Sequence, residues 1–145
     1  MTRAELERLW GDHLAGEFAT KDLDAVMATM TDDPSVNHMP VNTGGKGKEA
    51  VRAFYRDVFI PSWPDDLQVT PVNRVVGDDQ IVDEIHMRFT HQKQMDWFLP
   101  GVPPTGKVVE VDFIVVVGFR DGKLASERIY WDQATVLRQV GLLQP

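Results

Sequence analysis

The segment KVVEVDFIVVVGFRDGKLASERIYWD, residues 107–132, carries the clearest structural pattern of the sequence. Residues 107–120 and 123–131 follow the two-residue alternation that is typical of β-strands. Asp121-Gly122 lies between them, and this dipeptide is a strong hairpin signal because both residues readily adopt positive φ. The stretch therefore predicts two long antiparallel strands joined by a tight turn.

The rest of the chain adds two more strands of the same kind and a set of helices. LQVTPVNRVV (67–76) and IVDEIHMRFTH (81–91) also follow a period of two, whereas the first 60 residues mostly follow the 3.6-residue period of helices. The predicted helices are 3–20, 23–30, about 48–59 and 133–141, with a short strand at 35–41, a glycine-rich turn after it and a proline-rich loop at 92–106. Helices followed by an antiparallel sheet predict an α+β fold, and 145 residues suit one domain, residues 1–145.

Composition excludes several classes of function. The net charge is −7 and the 15 Lys and Arg residues are scattered, so we expect no nucleic-acid partner and no anionic membrane surface. No apolar run reaches the roughly 18–20 residues that cross a bilayer, and the charged N-terminus favours a cytoplasmic location. The chain has no cysteine and no closely spaced ligand set, so we predict no disulfide, no metal and no cofactor.

Several segments together resemble a known family. They are KDLDAVMATMTDDPSVNHMP (21–40), GGKGKEAVRAFYRDVF (44–59), GVPPTGKVVEVDFIVVVGFRDGKLASERIYWD (101–132) and VLRQVGLL (136–143). Their order and spacing resemble the nuclear transport factor 2-like superfamily, and within it the SnoaL-like polyketide cyclase branch. The resemblance covers nearly the whole chain.

The resemblance implies a fold and a site. It implies a cone-shaped, curved antiparallel sheet wrapped around three N-terminal helices, with a pocket between sheet and helices and a homodimer through the outer face of the sheet. Members of the superfamily work by acid–base chemistry with Asp, His or Tyr on the cone wall. The acidic residue that SnoaL-like proteins carry at the end of the last strand matches Asp132 here. His38 occupies the position where superfamily isomerases carry a catalytic carboxylate.

Asp132 is the first candidate for a catalytic residue, and it has a second interpretation. Asp is a preferred N-cap, and Asp132 directly precedes the last predicted helix. Alternation places it on one strand face with Tyr130 and Arg128, opposite the face that carries Glu127, Ile129 and Trp131. We predict that the face with Asp132 lines the pocket. Asp132 is then the acid or base, His38 its partner or a second proton carrier, and Tyr130 a hydrogen-bond donor to an oxyanion.

Further residues are candidates for substrate binding. His86 and Arg88 share one face of strand 81–91, and they line the pocket if that face turns inward; the alternative leaves them outside or in a dimer interface. Aromatic residues of the helices and the long loop are the other candidates, and the loop residues also suit a lid or a subunit contact: Trp10, Tyr55, Trp97 and Phe98. His13 and Glu17, four residues apart on the first helix, favour a solvated face.

These observations predict a cofactor-free acid–base enzyme of the cyclase, isomerase or dehydratase type. Its substrate is a mostly apolar small molecule that carries a carbonyl group. One alternative is an epoxide hydrolase-like enzyme that activates water with Asp132 and Arg88. The other is a binding module without catalysis.

Overall fold

The computed structural model describes residues 1–144, and its helices follow the predicted positions, with irregular turns at the ends of the first and third. Helix α1 spans Arg3–Leu14 and continues as a π-helical turn over Ala15–Ala19. Thr2 and Glu5 form a capping box that satisfies the free backbone N–H groups at its start. The remaining helices are α2 (Leu23–Ala28), α3 (Lys48–Phe54, followed by a π-helical turn over Tyr55–Phe59 and a 3₁₀ turn over Ile60–Ser62) and α4 (Gln133–Gln139).

Six strands form one curved, unclosed sheet. The strands are β1 (Met30–His38), β2 (Thr43–Lys46), β3 (Gln68–Val76), β4 (Gln80–Thr90), β5 (Val108–Arg120) and β6 (Lys123–Tyr130), in the spatial order β2-β1-β6-β5-β4-β3. The predicted antiparallel arrangement of β3 to β6 is confirmed. β1 is longer than predicted and runs parallel to β6.

Strand β2 is the element that the sequence did not predict. Its sequence, TGGK, has the glycines of a turn, but the segment pairs with residues 35–38 of β1. A Cβ atom on Gly44 would lie 1.9 Å from the carbonyl oxygen of Val36, and Gly44 has a φ of +148°. Glycine is required here because the two backbones approach each other closely. The same residue type is common in turns, so the sequence alone predicted a turn.

The core lies between the inner face of the sheet and helices α1 to α3. On β5 every second residue points inward and is buried, namely Val109, Val111, Phe113, Val115 and Val117. The long loop covers one end of this core, because Trp97, Phe98 and Leu99 are fully buried there. Burial of each of these side chains contributes about 2 kcal/mol. No helix within residues 1–144 is long and apolar enough to cross a bilayer.

Candidate functional site

Four buried polar side chains meet inside the fold: His13, Glu17, Tyr55 and Glu127. Nε2 of His13 lies 2.5 Å from Oε1 of Glu17 and 3.2 Å from Oε2 of Glu127. The hydroxyl of Tyr55 donates to the same Oε2 of Glu127 at 2.6 Å. All four are at least 95% buried, so their charges interact with little screening by water. We call these four residues the buried cluster.

The protonation of His13 follows from its partners. The hydroxyl of Thr29 donates to the carbonyl of Val26, so Oγ1 of Thr29 accepts from Nδ1–H of His13 at 2.8 Å. Nε2 faces two carboxyl groups, which favours a proton there as well. Burial alone would lower the pKa of His13, but the carboxylates of Glu17 and Glu127 outweigh it and raise that pKa to about 10. His13 is therefore an imidazolium at neutral pH.

The two carboxyl groups of the cluster have different environments. Burial raises the pKa of Glu17 above its usual value, and the attraction of His13 offsets this only in part. Burial works in the same direction on Glu127, but His13 and the Tyr55 hydroxyl stabilise its charge and lower its pKa. Titratable pairs whose pKa values are pushed apart are typical of acid–base sites. The lowered pKa of Glu127 favours its ionised form, and the raised pKa of Glu17 makes Glu17 the carboxyl group that holds a proton more readily.

The local structure explains how these residues reach one point. Glu17 lies in the π-helical turn that ends the first helix, and Tyr55 begins the π-helical turn that follows α3. π-Helical turns of this kind often occur at functional sites, because they rotate side chains out of the regular helical register. Glu127 points inward because it lies two residues before Ile129 and therefore shares the buried face of β6 with it.

A second layer of contacts positions His13. The ring of Trp10 stacks on the imidazole with centroids 5.5 Å apart and planes at 17°. Nε1–H of Trp10 donates to Asp83 at 2.8 Å, and the guanidinium of Arg74 donates two hydrogen bonds to the same carboxylate. A cation beside an indole face is electrostatically favourable. The indole therefore both orients and stabilises the imidazolium.

The buried cluster opens onto a small apolar cavity of about 30 Å³. A cavity of this size has room for a water molecule. Its walls combine Glu17, Tyr55, Glu127 and His38 with apolar side chains from the helices and the inner face of the sheet: Trp10, Leu14, Phe18, Val36, Phe59, Trp63, Ile85, Met87, Phe113, Val115 and Ile129. The cavity thus joins a proton-exchanging group to an aromatic lining.

His38 lies in the cavity wall, where the resemblance placed a titratable group. Its Nδ1–H donates to the backbone carbonyl of Thr43 at 3.0 Å, which leaves Nε2 as an acceptor. Burial lowers the pKa of His38 to about 4, so the ring is neutral. Four aromatic rings surround it at centroid distances of 4.8 to 6.0 Å, and they belong to Phe54, Phe59, Trp97 and Trp131.

The structure places Asp132 away from this cavity, which corrects the predicted orientation of the last strand. Asp132 is exposed and caps α4, where its carboxylate accepts from the backbone N–H of Thr135 at 3.2 Å and from its hydroxyl at 2.8 Å. Tyr130 and Arg128 share its outward face. These hydrogen bonds lower the pKa of Asp132. The cap interpretation explains the residue, and Glu127 occupies the inward position instead.

His86 and Arg88 also lie outside the cavity, on the outer face of the sheet. His86 bonds to Asp112 at 2.6 Å, and Arg88 pairs with Glu110 at 3.1 Å. The inward positions of β4 are taken by Asp83, Ile85, Met87 and Phe89. The prediction that this pair lines the pocket was therefore wrong, because the apolar face of the strand turns to the core.

Among the aromatic candidates, Trp10 and Tyr55 line the cavity, whereas Trp97 and Phe98 do not. Trp97 packs behind His38 and donates its Nε1–H to Ser62 at 2.7 Å. The two loop residues support the cavity wall from outside.

The sequence prediction missed His13, Glu17 and Glu127. His13 and Glu17 were expected on a solvated face, yet they continue the buried helical face of Leu6 and Trp10 at spacings of three and four. Glu127 shares the apolar strand face with Ile129. A charged residue in an otherwise apolar face was the available signal in both elements.

His13, Glu17 and Glu127 are also the residues that could hold a metal ion, since one ligand atom from each lies within 4.8 Å of the others. Their present separations are those of hydrogen bonds, with a proton between imidazole and carboxylate. The geometry therefore describes a proton-sharing cluster.

Comparison with known protein families identifies the family to which the chain belongs. The model of the SnoaL-like domain matches residues 11–127 of this chain. The chain belongs to the SnoaL-like domain family. A comparison with the sequences of curated proteins finds no match.

Solved structures show that the SnoaL-like fold extends over the whole chain. TsrD from Streptomyces laurentii has a TM-score of 0.74 at 22% identity, with 99% of both chains covered. A protein from Jannaschia sp. CCS1 named as a SnoaL-like polyketide cyclase has a TM-score of 0.73 at 22% identity, covering 98% of this chain and 92% of that one. An NTF2-like protein from Burkholderia xenovorans LB400 has a TM-score of 0.70 at 16% identity, covering 97% and 98%. At these identities the similarity shows the fold alone.

Proposed function

We propose that this SnoaL-like protein is a cofactor-free acid–base enzyme of the cyclase, isomerase or dehydratase type. Its substrate is a mostly apolar small molecule with a carbonyl group. The observation that carries the proposal is the buried cluster beside the aromatic cavity, in which one carboxyl group has a raised pKa and the other a lowered one. The relatives named as polyketide cyclase or isomerase agree with this reaction class.

Glu17 is the proposed general base. Its carboxylate removes a proton from the carbon next to the substrate carbonyl, and the electrons of that C–H bond form an enolate. The raised pKa makes the Glu17 carboxylate a stronger base than an ordinary glutamate. The proton that Glu17 takes up can return to another carbon in an isomerisation or protonate a departing hydroxyl group in a dehydration. In a cyclisation the enolate carbon attacks a second carbonyl, whose oxygen takes the proton.

His13 and Glu127 maintain the electrostatic environment of Glu17. When Glu17 is protonated, the imidazolium and the Glu127 carboxylate balance each other, and when Glu17 is ionised the cluster carries one net negative charge. Burying that charge is unfavourable, which drives proton uptake by Glu17. Tyr55 keeps Glu127 ionised through its hydrogen bond.

His38 serves as a second polar contact for the substrate. Its Nε2 is an acceptor in the cavity wall and can receive a proton from a substrate hydroxyl. The low pKa means that it holds such a proton only transiently.

The hydrolase alternative loses its support, because Asp132 and Arg88 lie outside the cavity and their partners are Thr135 and Glu110. The binding-module alternative uses the same cone without paired titratable groups, and it predicts that Asp132 and His38 lie too far apart to cooperate. Asp132 does lie outside the cavity that His38 lines. The buried cluster nevertheless supplies a titratable pairing, formed by other residues than those expected.

Exchange of carbon-bound protons tests the proposal without the natural substrate. A panel of bicyclic and tricyclic aromatic ketones in D₂O is followed by ¹H NMR for loss of the signal from the carbon next to the carbonyl. We expect acceleration by the protein for at least one ketone, with a drop of about 10² or more in Glu17→Gln. Asp132→Asn is the matched control and should retain full exchange. A protein that binds these ketones without accelerating exchange would be a binding module.

A further inference from the structure

Nε2 of His38 is an acceptor inside the fold that has no hydrogen-bond partner. The residue is only 3% exposed, and its Nδ1–H donates to the carbonyl of Thr43. Within residues 1–144, three unpaired polar side-chain atoms have almost no accessible surface, and they belong to Thr31, Trp63 and His91. Nε2 of His38 is unpaired without being one of these three, so it retains accessible surface, and the space that its ring borders is the inner cavity. An accessible acceptor at this depth is a position for the hydrogen-bond donor of a ligand.

The side chains of the cavity wall offer a ligand acceptors but no free donor, apart from Glu17 when it is protonated. The indole N–H of Trp10 donates to Asp83, and the hydroxyl of Tyr55 donates to Glu127. The other indole N–H of the wall is enclosed by its neighbours. A wall with these properties favours a ligand that brings its own proton donor.

The size of the cavity limits which donor can enter. A volume of about 30 Å³ has room for a water molecule, so it accommodates a hydroxyl group more readily than a bulkier methoxy group. The body of an organic ligand needs more space, and a groove of about 380 Å³ lies next to the cavity. Glu17, Phe18 and Trp63 line both spaces, so these side chains form the boundary between them. The groove falls within the roughly 300–1000 Å³ that small-molecule sites occupy.

We infer that the substrate carries a free hydroxyl group, which enters the cavity and donates its hydrogen bond to Nε2 of His38. The inference rests on the proposed function, since it concerns the same cavity and narrows the substrate class to hydroxy ketones. Phe18, Leu67 and Val69 of the groove provide apolar contacts for the ring system that bears the hydroxyl.

His38 is then a specificity-determining residue. The carbonyl of Thr43 can only accept, so the ring proton stays on Nδ1 and Nε2 stays an acceptor. Burial lowers the pKa of His38 to about 4, so no second proton occupies Nε2 at neutral pH. A carbonyl or ether oxygen brings no proton and would leave this buried acceptor unpaired, which is costly. A site built to pair with a hydroxyl therefore discriminates against ligands that lack one.

The test uses 2-naphthol as the probe. Naphthalene, with the same rings and no hydroxyl, and 2-methoxynaphthalene, with the oxygen but no donor, are its controls. In a protein labelled with ¹⁵N-histidine, His38→Phe assigns the unprotonated Nε2 signal among those of the four histidines. We expect 2-naphthol to move this signal upfield, because a ring nitrogen that accepts a hydrogen bond is shielded, and both controls to leave it nearly unchanged.

Affinities give a second measurement. His38→Phe should weaken 2-naphthol binding by roughly three- to tenfold and naphthalene binding by less than twofold, because only the hydroxyl loses its acceptor. His86→Phe is the matched control on the outer face of the sheet and should change neither affinity.

Two outcomes overturn the inference: 2-naphthol leaves the His38 signal in place up to its solubility limit, or 2-methoxynaphthalene binds as tightly as 2-naphthol. Both are read in the parent protein, so neither depends on the folding of a variant. Exchange of ketone protons in D₂O separates this result from the proposed function. A His38 shift without exchange supports the hydroxyl contact and contradicts the proposed chemistry. Exchange without a His38 shift supports the chemistry and overturns the contact.

Discussion

At the scale of single residues, the polar groups that matter are those in faces that the sequence pattern marks as apolar. Alternation in β6 was predicted correctly, but the prediction turned the face that ends in Asp132 inward, although Ile129 and Trp131 mark the face of Glu127 as the apolar one. Asp132 draws attention because it stands between strand and helix, yet that position is also where a helix needs a cap. The prediction therefore chose Asp132, which is a helix cap, and overlooked Glu127, five residues earlier in the chain.

Asp132 gives the first prediction. Asp132→Ala should lower the free energy of unfolding by about 1 kcal/mol, because the backbone N–H and the hydroxyl of Thr135 both lose their acceptor. Asp132→Asn should cost less, since Asn caps nearly as well. Urea denaturation measures both. A loss of ketone proton exchange in Asp132→Asn, with stability unchanged, would return the residue to the catalytic role.

The pH dependence of stability tests the burial of His38. Its pKa is lowered to about 4 in the folded protein from the ordinary 6.5, so folding favours the neutral ring. This contribution is present above pH 6.5 and is lost as the pH falls through 4, by up to about 3 kcal/mol. His38→Phe should remove this acid-dependent loss between pH 6.5 and 4. Denaturation curves across that range measure it, and identical slopes in both proteins would contradict the assignment.

At the scale of elements, long periodic segments were predictable and irregular ones were not. The strands 67–76, 81–91, 107–120 and 123–131 and the hairpin at Asp121-Gly122 follow from local pattern, and the structure confirms them. The π-helical turns that carry Glu17 and Tyr55 depend on tertiary contacts, which a single sequence does not show. Strand β2 likewise depends on pairing with a distant segment.

The glycines of β2 give the element-scale prediction. Gly44→Ala should destabilise the protein by more than about 2 kcal/mol, because the new Cβ would overlap the Val36 carbonyl oxygen and φ is +148°. Gly101→Ala is the matched control, since nothing lies within 4 Å of its Cβ position although its φ is also positive, at +73°. Thermal denaturation compares the two. Equal losses would mean that φ alone, and not the close approach, accounts for the glycine.

At the scale of the whole molecule, we propose that the outer face of the sheet forms the predicted homodimer. Val75, Val82 and Val116 lie side by side on adjacent strands of this face, and Val75 is 59% exposed. A group of ion pairs lies farther along the same strands, between His86 or Arg88 of β4 and Glu110 or Asp112 of β5. An apolar stripe beside paired charges of both signs can be complementary to a second copy of itself.

Val116→Lys tests the dimer. The parent chain should elute with twice the mass of one chain in size-exclusion chromatography with light scattering, and the variant should elute as a monomer with its circular dichroism spectrum unchanged. The half-buried position of Val116 makes the lysine compatible with folding, because its ammonium group can reach water. A parent protein that elutes as a monomer at high concentration as well as after 100-fold dilution would contradict the proposal.

The fold holds the two carboxyl groups of Glu17 and Glu127 at one imidazolium, and their environments drive the two pKa values apart. Carbon-13 NMR titration of the glutamate side-chain carboxyl signals measures this directly, with Glu17→Gln and Glu127→Gln assigning the two signals. We expect Glu17 to titrate above 4.5 and Glu127 below it. A Glu17 signal that titrates at or below 4.5 would contradict this separation.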